Sequence, residues 1–227
     1  MFFFDTNYLL WVMIPSLIIS VVAQVWLRSA YARWGNTRNN AGLTGAQVAE
    51  RIKRSAGLQN VGLEAVPGQL TDHYDPGSHV VRMSQDIATK PSVAAMAIVA
   101  HELGHAQQHQ QNSPLIAMRS FLIPAMQFSP TAAYFLIFLG FLMNALSLVW
   151  LGIGFFGIVV VFMLLTLPVE FDASRRGLVL LRQSGVMTTE DAGGAQQVLT
   201  AAALTYVAAF VSSLLTLLYY ISLARRD

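Results

Sequence analysis

Three stretches of this chain contain no Asp, Glu, Lys, Arg or His: Thr6–Leu27, Ser120–Pro168 and Val198–Ala224, of 22, 49 and 27 residues. A helix rising 1.5 Å per residue needs about 20 residues to cross about 30 Å of hydrocarbon. The first and third stretches therefore supply one crossing each. The middle one is too long for one crossing and sufficient for two, with a turn expected at Asn144 and Ser147. Four transmembrane helices follow. Composition agrees, since only 11% of the 227 residues are charged, against about 25% in an ordinary soluble domain. A conventional cytosolic domain and a disordered chain are both excluded. There is no cysteine, so disulfides and thiolate chemistry are absent and any metal falls to His and carboxylate.

The cations set an orientation. Nine Lys and Arg lie from Arg28 to Arg119, three more are Arg175, Arg176 and Arg182, and only Arg225 and Arg226 follow the last stretch. The positive-inside rule places the first twelve in the cytoplasm. Asp5 before the first stretch and Arg28, Arg33 and Arg38 after it read as a retained anchor, with Pro15 kinking the helix without ending it. The expected organisation is an anchor at 1–27, a cytoplasmic catalytic segment at 28–116, a transmembrane hairpin at 117–168, a second cytoplasmic segment at 169–197 and a last transmembrane helix at 198–227. A formal net charge of +2 gives no reason to expect nucleic acid as a partner. Arg51, Lys53 and Arg54 read as a solvated face near anionic lipid headgroups.

Within 28–116, Thr44 and Gln47 have capping-box spacing, Leu43 and Val48 can form a hydrophobic staple, and Gly57 suits a helix stop. Val61–Val66 and His79–Ser84 read as strands, expected to pair antiparallel. A helix then runs from Pro91-Ser92 to about Gln111 and carries His101-Glu102-Leu103-Gly104-His105. Positions i and i+4 share a helix face, so His101 and His105 can reach one Zn²⁺, with Glu102 as general base for the attacking water. With five His and five Glu in the chain, chance would produce about 0.002 such matches.

A catalytic zinc needs a third protein ligand. His109 lies about 12 Å from His101 along an unbroken helix, and the metzincin spacing meets Gln108 and Gln111 instead of Gly and His. Glu170 follows the long apolar block. Two crossings between His105 and Glu170 return the chain to the side it left, so Glu170 is the expected third ligand. The plainer alternative pairs Glu170 with Arg175 or Arg176. If His79–Ser84 is an open sheet edge, an extended peptide can add to it, and His73 or Tyr74 can donate to the developing oxyanion. The alternative there is a polar turn shaped by Asp75 and Pro76. Gly152-Ile153-Gly154-Phe155-Phe156-Gly157 matches a dinucleotide fingerprint but lies inside an apolar span, where close helix packing explains it better.

His101–His105, Asp72-His73-Tyr74-Asp75-Pro76, Glu170-Phe171-Asp172-Ala173-Ser174 and Leu199–Ala209 together resemble the YugP-like family of membrane zinc metallopeptidases. The likeness covers most of the chain from about residue 40 onward. More distantly the chain is similar to HtpX-type membrane proteases, in which the metal sits at the cytoplasmic membrane face and a glutamate after a membrane hairpin completes the site. The resemblance implies His101, His105 and Glu170 as ligands and Glu102 as base. It departs at Ser174, where the HtpX-type pattern has an aspartate, with Asp172 nearer the ligand. The expected fold is a mostly α integral membrane protein with four transmembrane helices and a small α+β cytoplasmic domain of the zincin-like, gluzincin type. The expected function is a Zn²⁺-dependent endopeptidase in a bacterial inner membrane, acting on membrane-associated or misfolded polypeptides. A zinc-binding scaffold or sensor without hydrolysis is the competing expectation. A transporter is disfavoured, because no Asp, Glu, Lys, Arg or His lies within the three stretches.

Overall fold

The computed structural model describes residues 5–225. The N-terminal helical rod, Thr6–Gly35, is built from α1 (Thr6–Tyr8), a π-helical turn at Leu9–Met13 and α2 (Ile14–Gly35). The π turn ends one residue before Pro15's neighbour Ile14, so the proline distorts the helix locally and does not stop it. Then come α3 (Gly45–Ala56), β1 (Gly62–Val66), β2 (His73–Asp75), β3 (Val80–Ser84), α4 (Gln85–Thr89) and α5 (Val93–Gln110). The chain continues as α6 (Pro114–Leu142), α7 (Leu146–Gln183) and α8 (Thr189–Ala224). The fold is mostly helical, with four helices long and apolar enough to cross a membrane: Thr6–Gly35, Pro114–Leu142, Leu146–Gln183 and Thr189–Ala224. The expected hairpin turn is present between Leu142 and Leu146, where Asn144 takes a positive φ of 53°.

Contacts divide the chain into two units. One comprises the chain up to Gln24, Ala117–Pro168 and the chain from Leu204 onward. Its interior holds Val12, Ile137, Val149, Ile153 and Tyr220, with Tyr220 edge-on to Phe156 and Tyr134. Of the three fingerprint-like glycines, Gly152 meets α6 so closely that a Cβ would lie 2.8 Å from the Ala133 carbonyl oxygen. Gly154 and Gly157 face open space, so close packing explains one of the three.

The other unit comprises Val25–Ile116 and Val169–Ala203. Helix α3 starts and stops where expected. Thr44 and Gln47 form the reciprocal capping box, and Gly57 closes the helix at φ 70°. Its charge run is not uniformly solvated: Lys53 is buried and bonds Glu50, and Arg51 donates to the Ser184 carbonyl.

The sheet differs from expectation in two ways. Its order is β1-β3-β2, with β1 parallel and β2 antiparallel to β3. His73–Asp75, expected as part of a polar turn, is the return stroke between β1 and β3, so those two necessarily run the same way. β3 is therefore the central strand, paired on both sides over Val80–Arg82. Arg82 on β3 ties both neighbours, reaching Glu64 at 3.0 Å and Asp75 at 2.7 Å.

Helix α5 is capped by Ser92, whose side chain accepts from the Ala95 amide. Val93, Ala94, Ala95, Met96, Ala97, Val99, Ala100, Leu103 and Ala106 are all buried, so nearly every face of the helix is covered. Polar side chains carried into such surroundings must find partners.

Candidate metal centre

His101, Glu102 and His105 project from the middle of α5, and the region after Pro168 in α7 runs against it. The approach is unusually close, and small residues permit it. A Cβ on Gly104 would lie 2.4 Å from the Ala173 carbonyl oxygen, and one on Gly177 would lie 2.9 Å from the Ala100 backbone. Two helices in backbone contact leave room for short bridges only.

That contact delivers Glu170, which is 2% exposed, to both histidines. Its Oε2 lies 3.2 Å from His101 Nε2 and 3.5 Å from His105 Nε2. The imidazoles are edge to face with centroids 4.7 Å apart. One ligand atom from each of His101, His105 and Glu170 falls within 4.8 Å of the others, a group able to hold a metal ion. Donors about 2.0–2.1 Å from a tetrahedral zinc stand about 3.3 Å apart, so the spacing suits the ion. Arg175 and Arg176, the alternative partners for Glu170, instead both reach Asp172, at 2.8 and 2.6 Å.

Both imidazoles are held from behind. His101 Nδ1 lies 3.1 Å from Ser174 Oγ, and His105 Nδ1 lies 3.0 Å from Gln108 Oε1. With the Nδ1 positions engaged, the Nε2 atoms face the carboxylate, the arrangement that orients metal-binding histidines. Gln108, fully buried, passes the restraint on by donating to the Val169 carbonyl and to Asp172, both at 2.9 Å. Asp172 therefore reaches a histidine through Gln108, while Ser174 touches the other directly. Sequence reasoning missed Gln108 as a support. The signal was a glutamine three residues after His105, on the same face of a helix buried all round.

Burial opposes a charge on His105, but the Glu170 hydrogen bond and the fields of Glu102 and Glu170 outweigh it and raise its pKa above the ordinary value. The site thus attracts positive charge, as a cation-binding centre should. Two imidazoles and one carboxylate suit zinc in particular.

Glu102 is buried, and its Oε2 accepts the Tyr74 amide proton at 2.9 Å. β2 thereby fixes the carboxylate next to the first histidine. The side chains expected to aid an oxyanion each have a polar partner of their own. His73 is exposed, with Nδ1 2.8 Å from the Thr71 carbonyl oxygen. The Tyr74 hydroxyl turns to His79 and His109, and burial pushes its pKa up to about 12. His109 stands two turns beyond His101 on the unbroken α5, apart from the group above.

Comparison with known proteins points the same way. A family model described as "Putative neutral zinc metallopeptidase" matches residues 9–225. The "Putative membrane protease YugP" of Bacillus subtilis (strain 168) is 39% identical over 208 residues, which is 92% of this chain and 92% of that protein. No solved structure matches the chain. With nearly its whole length matched, the chain belongs to this family of neutral zinc metallopeptidases.

Proposed function

We propose that the protein is a membrane-embedded zinc endopeptidase of the HExxH-plus-glutamate, gluzincin type, with His101, His105 and Glu170 as the zinc ligands. The observation that carries this is the buried Glu170 carboxylate set 3.2 and 3.5 Å from the two Nε2 atoms of the motif. When bound, zinc supplies a Lewis acid that polarises a peptide carbonyl and makes water acidic enough to attack near neutral pH. Glu102 takes a proton from the attacking water and delivers it to the leaving amine, so that each cleavage leaves the carboxylate as it began. Tyr74 serves through its main chain, whose amide keeps the Glu102 carboxylate beside His101.

Four helices of membrane length and the membrane-protease relative support a membrane protein. Substrates are membrane-associated or misfolded polypeptides, and the centre faces the cytoplasm of a bacterial inner membrane. Eleven of the fourteen Lys and Arg lie on the two segments assigned to that side, and Arg119 stands at the start of the hairpin that leaves it. The test is cleavage of an unfolded polypeptide such as casein by the purified full chain, beside Glu102→Gln. Loss of cleavage with zinc retained supports hydrolysis; undiminished cleavage by Glu102→Gln overturns the assignment of the base, and zinc bound by a wild type that cleaves nothing favours a zinc-binding scaffold.

A further inference from the structure

One cluster of potential ligands plays no part in the reaction proposed above. Tyr74 Oη lies 2.5 Å from His79 Nδ1 and 3.1 Å from His109 Nδ1. The two imidazole centroids are 5.6 Å apart, and each lies about the same distance from the phenol ring, at 5.8 and 6.0 Å. The three side chains come from separate places: β2, the residue before β3, and the last turn of α5. His79 takes a φ of 61°, a conformation few non-glycine residues adopt. The bend before β3 thus coincides with the delivery of its imidazole to Tyr74.

Two imidazole nitrogens aimed at one oxygen form the beginning of a coordination shell. His109 is exposed and His79 half-buried, so an ion and its waters have access from solvent. The donors are two nitrogens and a phenol oxygen. Imidazole selects Cu²⁺, Ni²⁺ and Zn²⁺ over Mg²⁺ and Ca²⁺, which prefer all-oxygen shells. The same tyrosine holds Glu102 through its amide at 2.9 Å, so whatever fixes its ring acts one residue away from the proposed base.

We propose that His79 and His109 form a second site for a divalent transition-metal ion, bound by their Nδ1 atoms with Tyr74 Oη and water completing the shell, and that occupancy slows the zinc centre through Tyr74. The site itself is independent of which residues bind the catalytic zinc; the slowing rests on the function proposed above.

The probe is Cu²⁺, added to the detergent-solubilised full chain and read by electron paramagnetic resonance. In a protein carrying both His101→Ala and His105→Ala, which removes the imidazoles of the zinc centre, one copper with nitrogen couplings is expected. That signal disappears when His109→Gln is added, and also with His79→Asn, since asparagine tolerates the positive φ. No bound copper, or equal copper in all three proteins, overturns the site. Two coppers in the protein carrying His101→Ala and His105→Ala, falling to one with His109→Gln, would keep this site and place the second ion outside both centres. For the coupling, excess Cu²⁺ is expected to lower peptide cleavage about five-fold or more in the zinc-loaded protein and to spare His109→Gln. Equal inhibition of both overturns the coupling.

Discussion

Gly104 and Ala173 meet backbone to backbone: a Cβ at Gly104 would stand 2.4 Å from the Ala173 carbonyl oxygen. This contact sets the distance between the histidine pair on α5 and the glutamate on α7. Gly104→Ala should therefore fail despite alanine's better helix propensity. The clash with main chain is expected to cost about 1–3 kcal/mol, read as a lower unfolding temperature, and to reduce zinc content. Gly193→Ala is the control, because no atom lies within 4 Å of its Cβ position. It should be neutral or stabilising by about 0.5–1 kcal/mol.

Gln108 and Ser174 touch the two proposed ligand histidines and so would act on a bound zinc only through them. Gln108→Ala removes the acceptor from His105 Nδ1 together with the donors to Val169 and Asp172. Zinc affinity, measured by competition with a chelator, is expected to fall about 10- to 100-fold. Ser174→Ala should weaken binding less, because it severs only the contact with His101 Nδ1.

Asp72, just before β2, and Asp75, its last residue, respond to acid in opposite senses. Arg82, Ser78 and the Gly77 amide hold the Asp75 carboxyl well below the usual range. Its contribution to stability is present above the unfolded-state pKa and is lost as pH falls through the depressed folded value. Burial pushes the Asp72 carboxyl up, against the Ser84 hydrogen bonds that favour its ionised form. Its contribution is therefore fullest below the unfolded-state pKa and declines as pH rises through the folded one. Thermal unfolding followed against pH should show Asp75→Asn flattening the acid limb and Asp72→Asn steepening it. Asp72→Ala, which leaves the Ser84 amide without its 2.7 Å acceptor, is expected to cost about 1–3 kcal/mol.

The absence of native cysteine makes membrane sidedness directly measurable. Asn112→Cys and Arg175→Cys flank the expected pair of crossings, and an impermeant thiol reagent should label both from the cytoplasmic side only. Asn144→Cys, in the turn between α6 and α7, should label only from the opposite side. Labelling of positions 112 and 175 from different faces would contradict an even number of crossings.

Much of this was legible in the sequence, for identifiable reasons. Charge-free runs of 22, 49 and 27 residues fix the number of membrane-length helices by length alone. The Thr44–Gln47 box and Gly57 announce α3 because capping chemistry is local. Glu170 was reachable through the parity of the crossings. β2 escaped because three residues are too few to show an alternating pattern, so the sheet order was misjudged with it. Ser174 and Asp172 lie 73 residues from His101 and 64 from Gln108, and no local pattern links them. The glycine inside His101-Glu102-Leu103-Gly104-His105 was a visible but unread sign of a backbone pressed against the motif helix.

The central claim is that His101, His105 and Glu170 together hold one zinc ion. Zinc per chain in the purified full-length protein, measured beside Glu170→Ala and Glu102→Gln after removal of loosely bound metal, tests it most directly. One tightly held zinc is expected in the wild type and in Glu102→Gln, with loss from Glu170→Ala. Undiminished zinc in Glu170→Ala would contradict the claim.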